Sequence, residues 1–358
     1  MLGDCSRRER QMLLGTTNKG GTVTESKTEA TTSTVTNKDG STTETKQETT
    51  TTSDGVKSEG TTVTQIQKDG TVTETNKTAN GTTGTVVTDK NGDVTEVKST
   101  VSAKAVTESA KSGAAVTLPV EVPAAKTTEA APAVQVTVPK SAGSVKVEVP
   151  VEKVTPGTVA VIVNADGTEK IVSTSMVTEN GVALKLNGSA TVKIIDNTKT
   201  FSDVPATNVF YNEIASLSAR EIMIGKAGDK FDLYNTVTLD QIANVAGRIT
   251  GTVDVKDFNA GVTWGAESGL QTGNVAATRG DVLKALYIAA GSPVVEDTTI
   301  LSRFKDVSSI PTDLTAIAAW AAQDGILKGN TDGTAGLSKY VSRGQACALA
   351  GRTMGTLA

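Results

Sequence analysis

Large aromatic side chains, which a folded core needs in quantity, occur in only one part of this chain of 358 residues. The sequence contains five phenylalanines, two tryptophans and four tyrosines, and all of them lie between Phe201 and Tyr340. The residues before Phe201 must build their structure from Val, Ile, Leu, Ala and Thr. This asymmetry predicts a chain divided into parts of different architecture.

The aromatic part repeats itself three times, at intervals of about 50 residues. Each copy opens on a motif that contains aspartate and later carries a small polar box. The openings are Phe201-Ser202-Asp203-Val204, Val255-Lys256-Asp257-Phe258 and Phe304-Lys305-Asp306-Val307. The boxes are Thr238-Leu239-Asp240-Gln241, Thr278-Arg279-Gly280-Asp281 and Ser342-Arg343-Gly344-Gln345. Such units bury too little apolar surface alone, so we expect all three to share one core.

Hydrophobic periodicity predicts a helix, a loop and a second helix in each copy. In the third copy, Ile317, Trp320 and Ala321 share one helical face, and Gly325 stands where a left-handed C-terminal cap would end the helix. In the second copy, an apolar-periodic segment after the polar box is closed by Gly291. The C-terminal part is therefore predicted to be α-helical.

The polar box has two interpretations. Ser or Thr followed three residues later by Gln or Asp, ahead of an apolar run, resembles a capping box. A cap does not require Arg279 or Arg343, which place a cation near the positive end of a helix dipole at a cost of roughly a few tenths of a kcal/mol. Arginine beside free helix N–H groups is a good receptor for an anion. Both arginines are therefore candidate ligand contacts, with plain surface charge as the alternative.

Residues 199–358 resemble a triple S-layer homology (SLH) domain. The resemblance rests on the opening Phe-x-Asp-Val, on the Ala-Trp-Ala-x-x-x-Gly-Ile-x-x-Gly run that ends at Gly329, and on the Thr/Ser-Arg-x-Asp/Gln box. It implies a helical spindle with pseudo-threefold symmetry that binds secondary cell-wall polysaccharide, commonly through a pyruvylated sugar. Such domains anchor exported proteins non-covalently to the bacterial wall.

The resemblance also implies which residues lie at the glycan-binding grooves. In the family, the box arginine meets the acidic sugar, and the opening aspartate and the helix tryptophan lie close by. The candidate glycan-binding residues of this sequence are Arg279, Arg343, Asp203, Asp257, Asp306, Trp264 and Trp320, with Thr278 and Ser342 from the boxes. The tryptophans equally fit core packing, and the aspartates equally fit helix N-terminal caps.

The three copies depart unequally from the family pattern. Copy one has Leu239 at the arginine position, Ser216 at the tryptophan position and Glu221 at a glycine position, and copy two is shortened. Copy three carries the full set of features. We therefore expect unequal grooves, in which those around Arg343 and Arg279 carry the affinity and the one nearest Thr238 is mostly structural.

Residues 1–113 form a Thr-rich repetitive region. Asp-Gly, Asn-Gly or Gly-Gly pairs recur along it, at residues 20–21, 39–40, 54–55, 69–70, 80–81 and 91–92. Between these pairs, β-forming residues alternate with polar ones. The pattern fits successive β-hairpins, and it also fits disorder, because large apolar groups are too few for a packed core.

Residues 114–198 predict a small all-β module. Segments 145–151 and 159–163 have strand patterns, and Asn164-Ala165-Asp166-Gly167 is a turn signal. The module resembles, in fold and context only, the small β module often found directly before SLH repeats. The predicted division is a Thr-rich stalk at 1–113, a β-sandwich-like module at 114–198, and SLH repeats at 199–252, 253–300 and 301–358. The fold class is multidomain α+β.

Composition limits the function classes. A net charge of −4 without a basic run argues against nucleic acid as a partner. The chain has no histidine, which excludes histidine-based catalytic triads and histidine metal sites, and we expect neither a cofactor nor a metal. Cys5 and Cys347 lie in unrelated segments and are expected to be unpaired thiols. No membrane span is predicted.

The expected location is extracellular, at the cell wall or S-layer. No apolar region follows Met1, so an export signal is not seen, and a fragment or a mis-assigned start accounts for this. The predicted function is a non-catalytic surface protein that SLH repeats anchor to secondary cell-wall polysaccharide, with self-association into a surface lattice as a further expectation. The alternative is the wall-anchoring part of a larger exported polysaccharide-degrading enzyme.

Overall fold

The computed structural model describes residues 7–19, 22–53, 57–226 and 228–357. Within them the chain divides into two units. It contains both sheets and helices, which confirms the predicted α+β class. The first unit spans Met1–Lys153, Ala160–Lys170 and Glu179–Ile195, and the second spans Val154–Val159, Ile171–Thr178 and Asp196–Ala358. Cys5 and the start of the chain lie outside the described residues, as do the glycine pairs at 20–21 and 54–55.

The Thr-rich region forms an antiparallel meander in which each strand pairs with its neighbours along the chain. Its strands are β1 Arg7–Lys19, β2 Thr22–Thr36, β3 Thr42–Thr52, β4 Lys57–Ile66, β5 Val72–Lys77, β6 Thr83–Thr88 and β7 Val94–Thr100. Four of the described turns contain an Asp-Gly or Asn-Gly pair. Their glycines have φ between 85° and 91°, which glycine adopts without the strain a Cβ would cause: Gly40, Gly70, Gly81 and Gly92.

This meander has almost no apolar core. Among the described side chains of β2 to β5, Ala30 is the only buried apolar one. Threonine hydroxyls bond across strands instead, as between Thr28 and Thr50 at 2.8 Å. A sheet that is polar on both faces specifies its own register weakly, so the turns must fix it. In the turns, Asp39 and Asp69 each accept a backbone N–H two residues later at 2.9 Å.

The first unit becomes better packed beyond the meander. Helix α1, Ala103–Ser112, starts at the cap Ser102 and ends at Gly113, whose φ is 72°. The meander sheet continues in the order β7-β9-β15-β11-β12, and a second sheet includes the order β14-β10-β8. The strands are β8 Val116–Thr117, β9 Val134–Thr137, β10 Val145–Pro150, β11 Thr158–Val163, β12 Glu169–Ile171, β14 Gly181–Leu186 and β15 Ala190–Asp196, whereas β13 Met176–Val177 belongs to the second unit. Their core is aliphatic, with Leu118, Val147 and Ile194 fully buried.

The second unit contains three successive helix–loop–helix copies. The helices are α2 Tyr211–Ala219 with α3 Leu239–Ile249, α4 Phe258–Glu267 with α5 Arg279–Ala289, and α6 Thr312–Gln323 with α7 Arg343–Leu357. Short 3-10 turns at Thr299–Arg303 and Val307–Ser309 precede α6. All three copies contribute to one buried apolar cluster, which includes Leu217, Leu286 and Ala346.

A closed ring of three backbone hydrogen bonds joins the copies at their centre. The N–H of Val237 donates to the carbonyl of Val341 at 3.1 Å, that of Val341 donates to Ala277 at 3.3 Å, and that of Ala277 donates to Val237 at 2.9 Å. All three residues are buried, and each lies directly before the polar box of its copy. In this ring every copy both donates to one neighbour and accepts from the other.

Arg220 connects the helices to two segments that lie earlier in the chain. Its buried guanidinium donates to the carbonyls of Ser175 at 2.5 Å, Thr158 at 3.0 Å and Pro156 at 3.2 Å. Burial lowers the pKa of Arg220 to about 10. A buried cation needs such acceptors. Residues 154–159 and 171–178, which supply them, belong to the second unit. This unit therefore reaches back past the predicted boundary between residues 198 and 199.

The first helix of each copy ends in a residue with left-handed backbone conformation. The residues are Glu221, Gly269 and Gly325, with φ of 58°, 77° and 70°. Glycine adopts this conformation without strain, whereas a residue with a Cβ pays roughly 1–2 kcal/mol. Copy one thus makes the same turn as the other copies, but with Glu221 in place of the glycine that adopts this conformation without strain.

Replacement of Glu221 should therefore stabilise the second unit. We expect Glu221→Gly to raise the free energy of unfolding by about 1 kcal/mol, or Tm by roughly 2–4 °C. Glu221→Gln is the matched control, because it removes the same charge beside Arg248 but keeps the Cβ. Thermal unfolding of the full chain measures both variants, and equal Tm values for the two would refute backbone strain at Glu221.

Candidate functional site

Three grooves repeat around the central ring in the described part of the second unit. In each groove, one copy contributes its second helix and the loop after its first helix. The next copy contributes the start of its first helix, and the remaining copy contributes its polar box. We name them by their box residue: groove A holds Arg343, groove B holds Arg279 and groove C holds Leu239. Their volumes are about 210, 330 and 150 Å³.

Groove A contains two arginines from different copies. The Nε of Arg343 donates to the carbonyl of Phe231 at 2.8 Å, and its Nη2 donates to Ile224 at 2.7 Å. Its guanidinium also lies 4.8 Å from the centre of the Phe231 ring. Arg248, from α3, donates to the carbonyl of Ile222 at 3.2 Å. Burial lowers the pKa of both arginines, so each cation is partly desolvated and is held in place by carbonyl oxygens.

Groove B repeats this arrangement with residues from other copies. Nη1 of Arg279 donates to the carbonyl of Ala335 at 2.6 Å and to the side-chain oxygen of Asn330 at 2.9 Å. Arg352, from α7, donates to the carbonyl of Ile326 at 3.1 Å. Burial lowers the pKa of Arg279, although the charges of Asp306 and Asp332 raise it. Grooves A and B thus each present two arginines in equivalent positions.

Groove C differs in charge. Leu239 occupies the position of the box arginine, and the charged residues that line the groove are Asp281, Lys284 and Asp313. One cation beside two carboxylates does not favour an anion. Groove C is also the groove nearest Thr238, for which the sequence predicted a mainly structural role.

The second arginine of each pair was not identified from the sequence. Arg248 lies ten residues after Thr238, and Arg352 lies ten residues after Ser342, whereas copy two has Ile288 at this position. Ten residues is close to three helical turns, which returns the side chain to the same helix face as the cap. An alignment of the copies on their boxes therefore shows the second arginine as a position shared by copies one and three.

The opening aspartates hold loops of their own copy. Asp203 accepts the N–H groups of Phe231 at 2.8 Å and Leu233 at 3.0 Å, and Asp306 accepts those of Ala335 at 2.7 Å and of Gly336 at 2.9 Å. The residues that donate to these aspartates, Phe231 and Ala335, are also the ones whose carbonyls accept from Arg343 and Arg279. Asp203 and Arg343 thus hold Phe231 through its N–H and its carbonyl, and Asp306 and Arg279 hold Ala335 in the same way.

The alternative role of the aspartates, as helix caps, holds for one of the three. Asp257 caps α4 by accepting the N–H of Ala260 at 3.0 Å. Asp306 makes no side-chain cap, and the residue at the N-cap of α2 is Phe210 rather than Asp203. The two aspartates without a capping role are those that hold loops.

The polar boxes are capping boxes, which confirms the structural interpretation of the motif. In copy two, Thr278 accepts the N–H of Asp281 at 3.2 Å, and Asp281 accepts that of Thr278 at 2.8 Å. Ser342 and Gln345 form the same reciprocal pair, at 3.3 and 3.0 Å. Thr278 and Ser342 therefore fix the helix start from which Arg279 and Arg343 extend.

The tryptophans lie apart from the three grooves. Trp320 is buried and meets Tyr287 edge to face, with 5.4 Å between the ring centres. Trp264 is half-buried beside Gly247 of α3 and packs against the common cluster. Neither residue lines groove A, B or C. Their positions favour the core-packing interpretation over ligand contact.

The described residues contain no cluster of three or more Cys, Asp or Glu side chains suited to a metal ion. None of their helices is both long enough and apolar enough to cross a membrane. Cys347 is a free thiol whose pKa is raised by burial, so it is not a reactive nucleophile.

Comparison with known proteins identifies part of the second unit. Residues 303–347 match the family model of the S-layer homology domain. No match was found among curated proteins. The chain is therefore an SLH-containing protein, and an SLH domain implies a surface protein anchored at the cell wall. The matched segment runs from just before the opening of copy three to the start of α7 and includes Asp306, Trp320 and Arg343.

The loop contacts of Asp203 and Asp306 predict acid sensitivity. Burial raises the pKa of both carboxyl groups, but the backbone N–H donors lower it by more, so the net pKa lies below 3.8. A depressed carboxyl pKa contributes stability that is full above about pH 4 and is lost as the pH falls through the folded-state value. Tm of the wild-type second unit should therefore fall steeply below pH 4.

The double variant Asp203→Asn with Asp306→Asn tests this origin. Asn lacks one of the two acceptor oxygens, so the variant should melt at a lower temperature at pH 7. Between pH 5 and pH 2 its Tm should also fall less than that of the wild type, because the two titrating carboxyl groups have been removed. Parallel curves for the two proteins over this range would show that other carboxylates cause the acid sensitivity.

Proposed function

We propose that residues 199–358 form three SLH repeats that bind secondary cell-wall polysaccharide and so anchor this protein non-covalently to the bacterial wall. The family match covers residues 303–347, which is most of the third copy. Support for the first two copies comes from the closed backbone ring and from loop contacts that recur in each copy. In all three, the second and third box residues donate backbone N–H groups to carbonyls two residues apart in a neighbouring loop.

The paired arginines of grooves A and B are the observation that carries the proposal. Two partly desolvated guanidinium groups in one concave site match a carboxylate, because charge-assisted hydrogen bonds are strong and arginine presents its donors in a fixed plane. A polysaccharide bearing pyruvyl groups offers such carboxylates at intervals along its chain. The proposed ligand is therefore an acidic, pyruvylated wall sugar.

Groove C has a structural role in this proposal. Its carboxylates repel an anion, and its loop is held by the side chain of Asp240, which accepts the N–H of Gly273 at 2.6 Å. Asp240 thereby makes the kind of contact to a loop N–H that the opening aspartates Asp203 and Asp306 make in grooves A and B. Copy one supplies the arginine-free box to groove C, but it supplies Arg248 and a loop to groove A.

The proposed role of the whole chain is non-catalytic, at the cell surface. Both faces of the described meander strands carry threonine hydroxyls and charges, which suits a spacer or a lattice contact. The alternative, a wall anchor for a polysaccharide-degrading enzyme, places the catalytic domain outside this chain and leaves the anchoring proposal unchanged.

Arg279→Ala tests the glycan-binding role. A charge-assisted contact contributes roughly 1.5 to 3 kcal/mol, so binding of the full chain to purified sacculi should weaken about tenfold to a hundredfold. Lys284→Ala is the matched control, because it removes one cation from groove C. Arg279 is preferred over Arg343, which is only 5% exposed and holds two carbonyls of copy one.

Co-sedimentation and thermal unfolding are measured together on both variants. Equal, small losses of binding in Arg279→Ala and Lys284→Ala would mean that the boxes are helix caps and nothing more. Removal of the secondary polymer from the sacculi should abolish binding of the wild type. Retention on bare peptidoglycan would point to a different receptor.

A further inference from the structure

We propose that a cleft in the first unit binds an uncharged, hydroxyl-rich oligosaccharide. The cleft has a volume of about 1000 Å³. One face of strands β3 to β5 forms its floor, and residues of α1 and of the segment 118–121 line much of the remainder. All of these residues belong to the first unit, whereas grooves A, B and C belong to the second.

The strand register places the residues of the floor on one face of the sheet. Residues directly opposite each other on neighbouring strands share a face, as do residues two apart on one strand. Glu48 is opposite Gly60, and Thr62 is opposite Asn76. Gly60 and Thr62 are two apart on β4, and Glu74 and Asn76 are two apart on β5. These five residues therefore share one face, and all of them line the cleft.

Gly60 is a glycine that the chain itself does not require at this position. It lies inside β4, and its φ is not in the left-handed region. A Cβ there would meet only the carbonyl oxygen of Lys77, at 3.8 Å, which is an ordinary contact. Glycine inside a strand weakens it, and it often marks a place where a ligand or another backbone comes close.

A second glycine on the same face shows what such a position accommodates. Gly84, in β6, is opposite Asn76, and a Cβ there would collide with the carbonyl oxygen of Pro119. The backbone at Pro119 therefore passes directly over the sheet at Gly84. At Gly60, two strands away, the corresponding space belongs to the cleft and leaves room for the chain of a ligand.

Three polar side chains beside Gly60 are held in direction by hydrogen bonds. Oγ1 of Thr62 donates to Oδ1 of Asn76 at 2.6 Å, and Nδ2 of Asn76 donates to Oε1 of Glu74 at 2.7 Å. Thr62 and Asn76 are half-buried and Glu74 is exposed, so a ligand in the cleft reaches all three. The amide of Asn76 has a second N–H to donate, and the carboxylate of Glu74 has a second oxygen to accept with.

The lining of the cleft favours an uncharged ligand that is rich in hydroxyl groups. Among the described residues, five glutamates and three lysines line it, and no aromatic side chain does. Because carboxylates outnumber cations, the cleft disfavours an acidic polymer such as the wall sugar proposed for grooves A and B. Carboxylates accept strong hydrogen bonds from hydroxyl groups, while threonine and asparagine both donate and accept. The hydroxyl groups of a neutral sugar match both kinds of partner.

An extended peptide fits this lining less well. A peptide would need a free strand edge for its backbone or apolar pockets for its side chains. The floor is a sheet face, and β3, β4 and β5 are each paired with a strand on both sides. Leu118 and Val120, two apolar residues of the lining, are buried. Hydrogen-bonding side chains therefore dominate what a ligand meets.

A panel of short neutral and acidic oligosaccharides tests the site, first as an array probed with the full chain and then by isothermal titration of the best neutral binder. Gly60→Thr should weaken neutral binding about tenfold or more, because its side chain fills the floor of the cleft. Its Tm should stay the same or rise, since a Cβ has room there and threonine suits a strand. Gln47→Thr is the matched control, because Gln47 precedes Glu48 in β3 and so lies on the opposite face.

Asn76→Ala is the second variant, and it removes hydrogen-bonding capacity without filling the cleft. Loss of its amide should weaken neutral binding about threefold to tenfold. Because Asn76 is only half-buried, Tm should change little. Thermal unfolding accompanies every titration.

Lost affinity in Gly60→Thr and Asn76→Ala at retained Tm, with Gln47→Thr unaffected, supports a neutral-glycan site in the cleft. Binding to acidic oligosaccharides alone, or to none of the panel, overturns it. Neutral binding that both variants leave unchanged also overturns it, because the sugar would then bind elsewhere. A fall in Tm that accompanies each loss of affinity would show that the two residues serve the sheet rather than a ligand. Co-sedimentation with sacculi measures wall anchoring separately, so a negative result in the cleft leaves the proposed function intact.

Discussion

The ring of hydrogen bonds between Val237, Ala277 and Val341 is the interaction on which the second unit depends. Each of these buried peptide groups finds its partner in another copy, so a missing copy would leave one donor and one acceptor unpaired away from water. The three copies must therefore fold as one unit. This requirement explains how copy one can lack a box arginine and yet be retained, since the ring cannot close without it.

Because the ring closes, each groove lies between copies. The residues of a groove therefore hold a neighbouring loop and are also in position to meet a ligand. Arg343 and Arg279 hold a loop of a neighbouring copy through its backbone carbonyls, and Asp203 and Asp306 hold those loops from the other side. A ligand that reaches these arginines meets cations already fixed in direction, so little further ordering is needed on binding. Stability and binding are thus coupled at these positions, which is why Tm must accompany every affinity measurement.

Local patterns in the sequence predicted the helix pairs and the capping boxes, because their periods and caps involve residues three or four apart. Contacts between distant residues could not be predicted this way. Asp203 meets loop residues 28 and 30 positions away, and Arg220 meets carbonyls 45 to 64 positions away. The burial of Trp320 likewise depends on Tyr287 from another copy. For the Thr-rich region the sequence left hairpins and disorder open, and the described residues form strands joined by glycine turns.

We propose that grooves A and B bind ligand and that groove C is structural. Native mass spectrometry of the full chain with a short wall oligosaccharide that carries one pyruvylated sugar measures the number of occupied grooves. Two ligand grooves predict saturation at two oligosaccharides per chain, falling to one in Arg279→Ala. Saturation at three, or at two in both proteins, would contradict it.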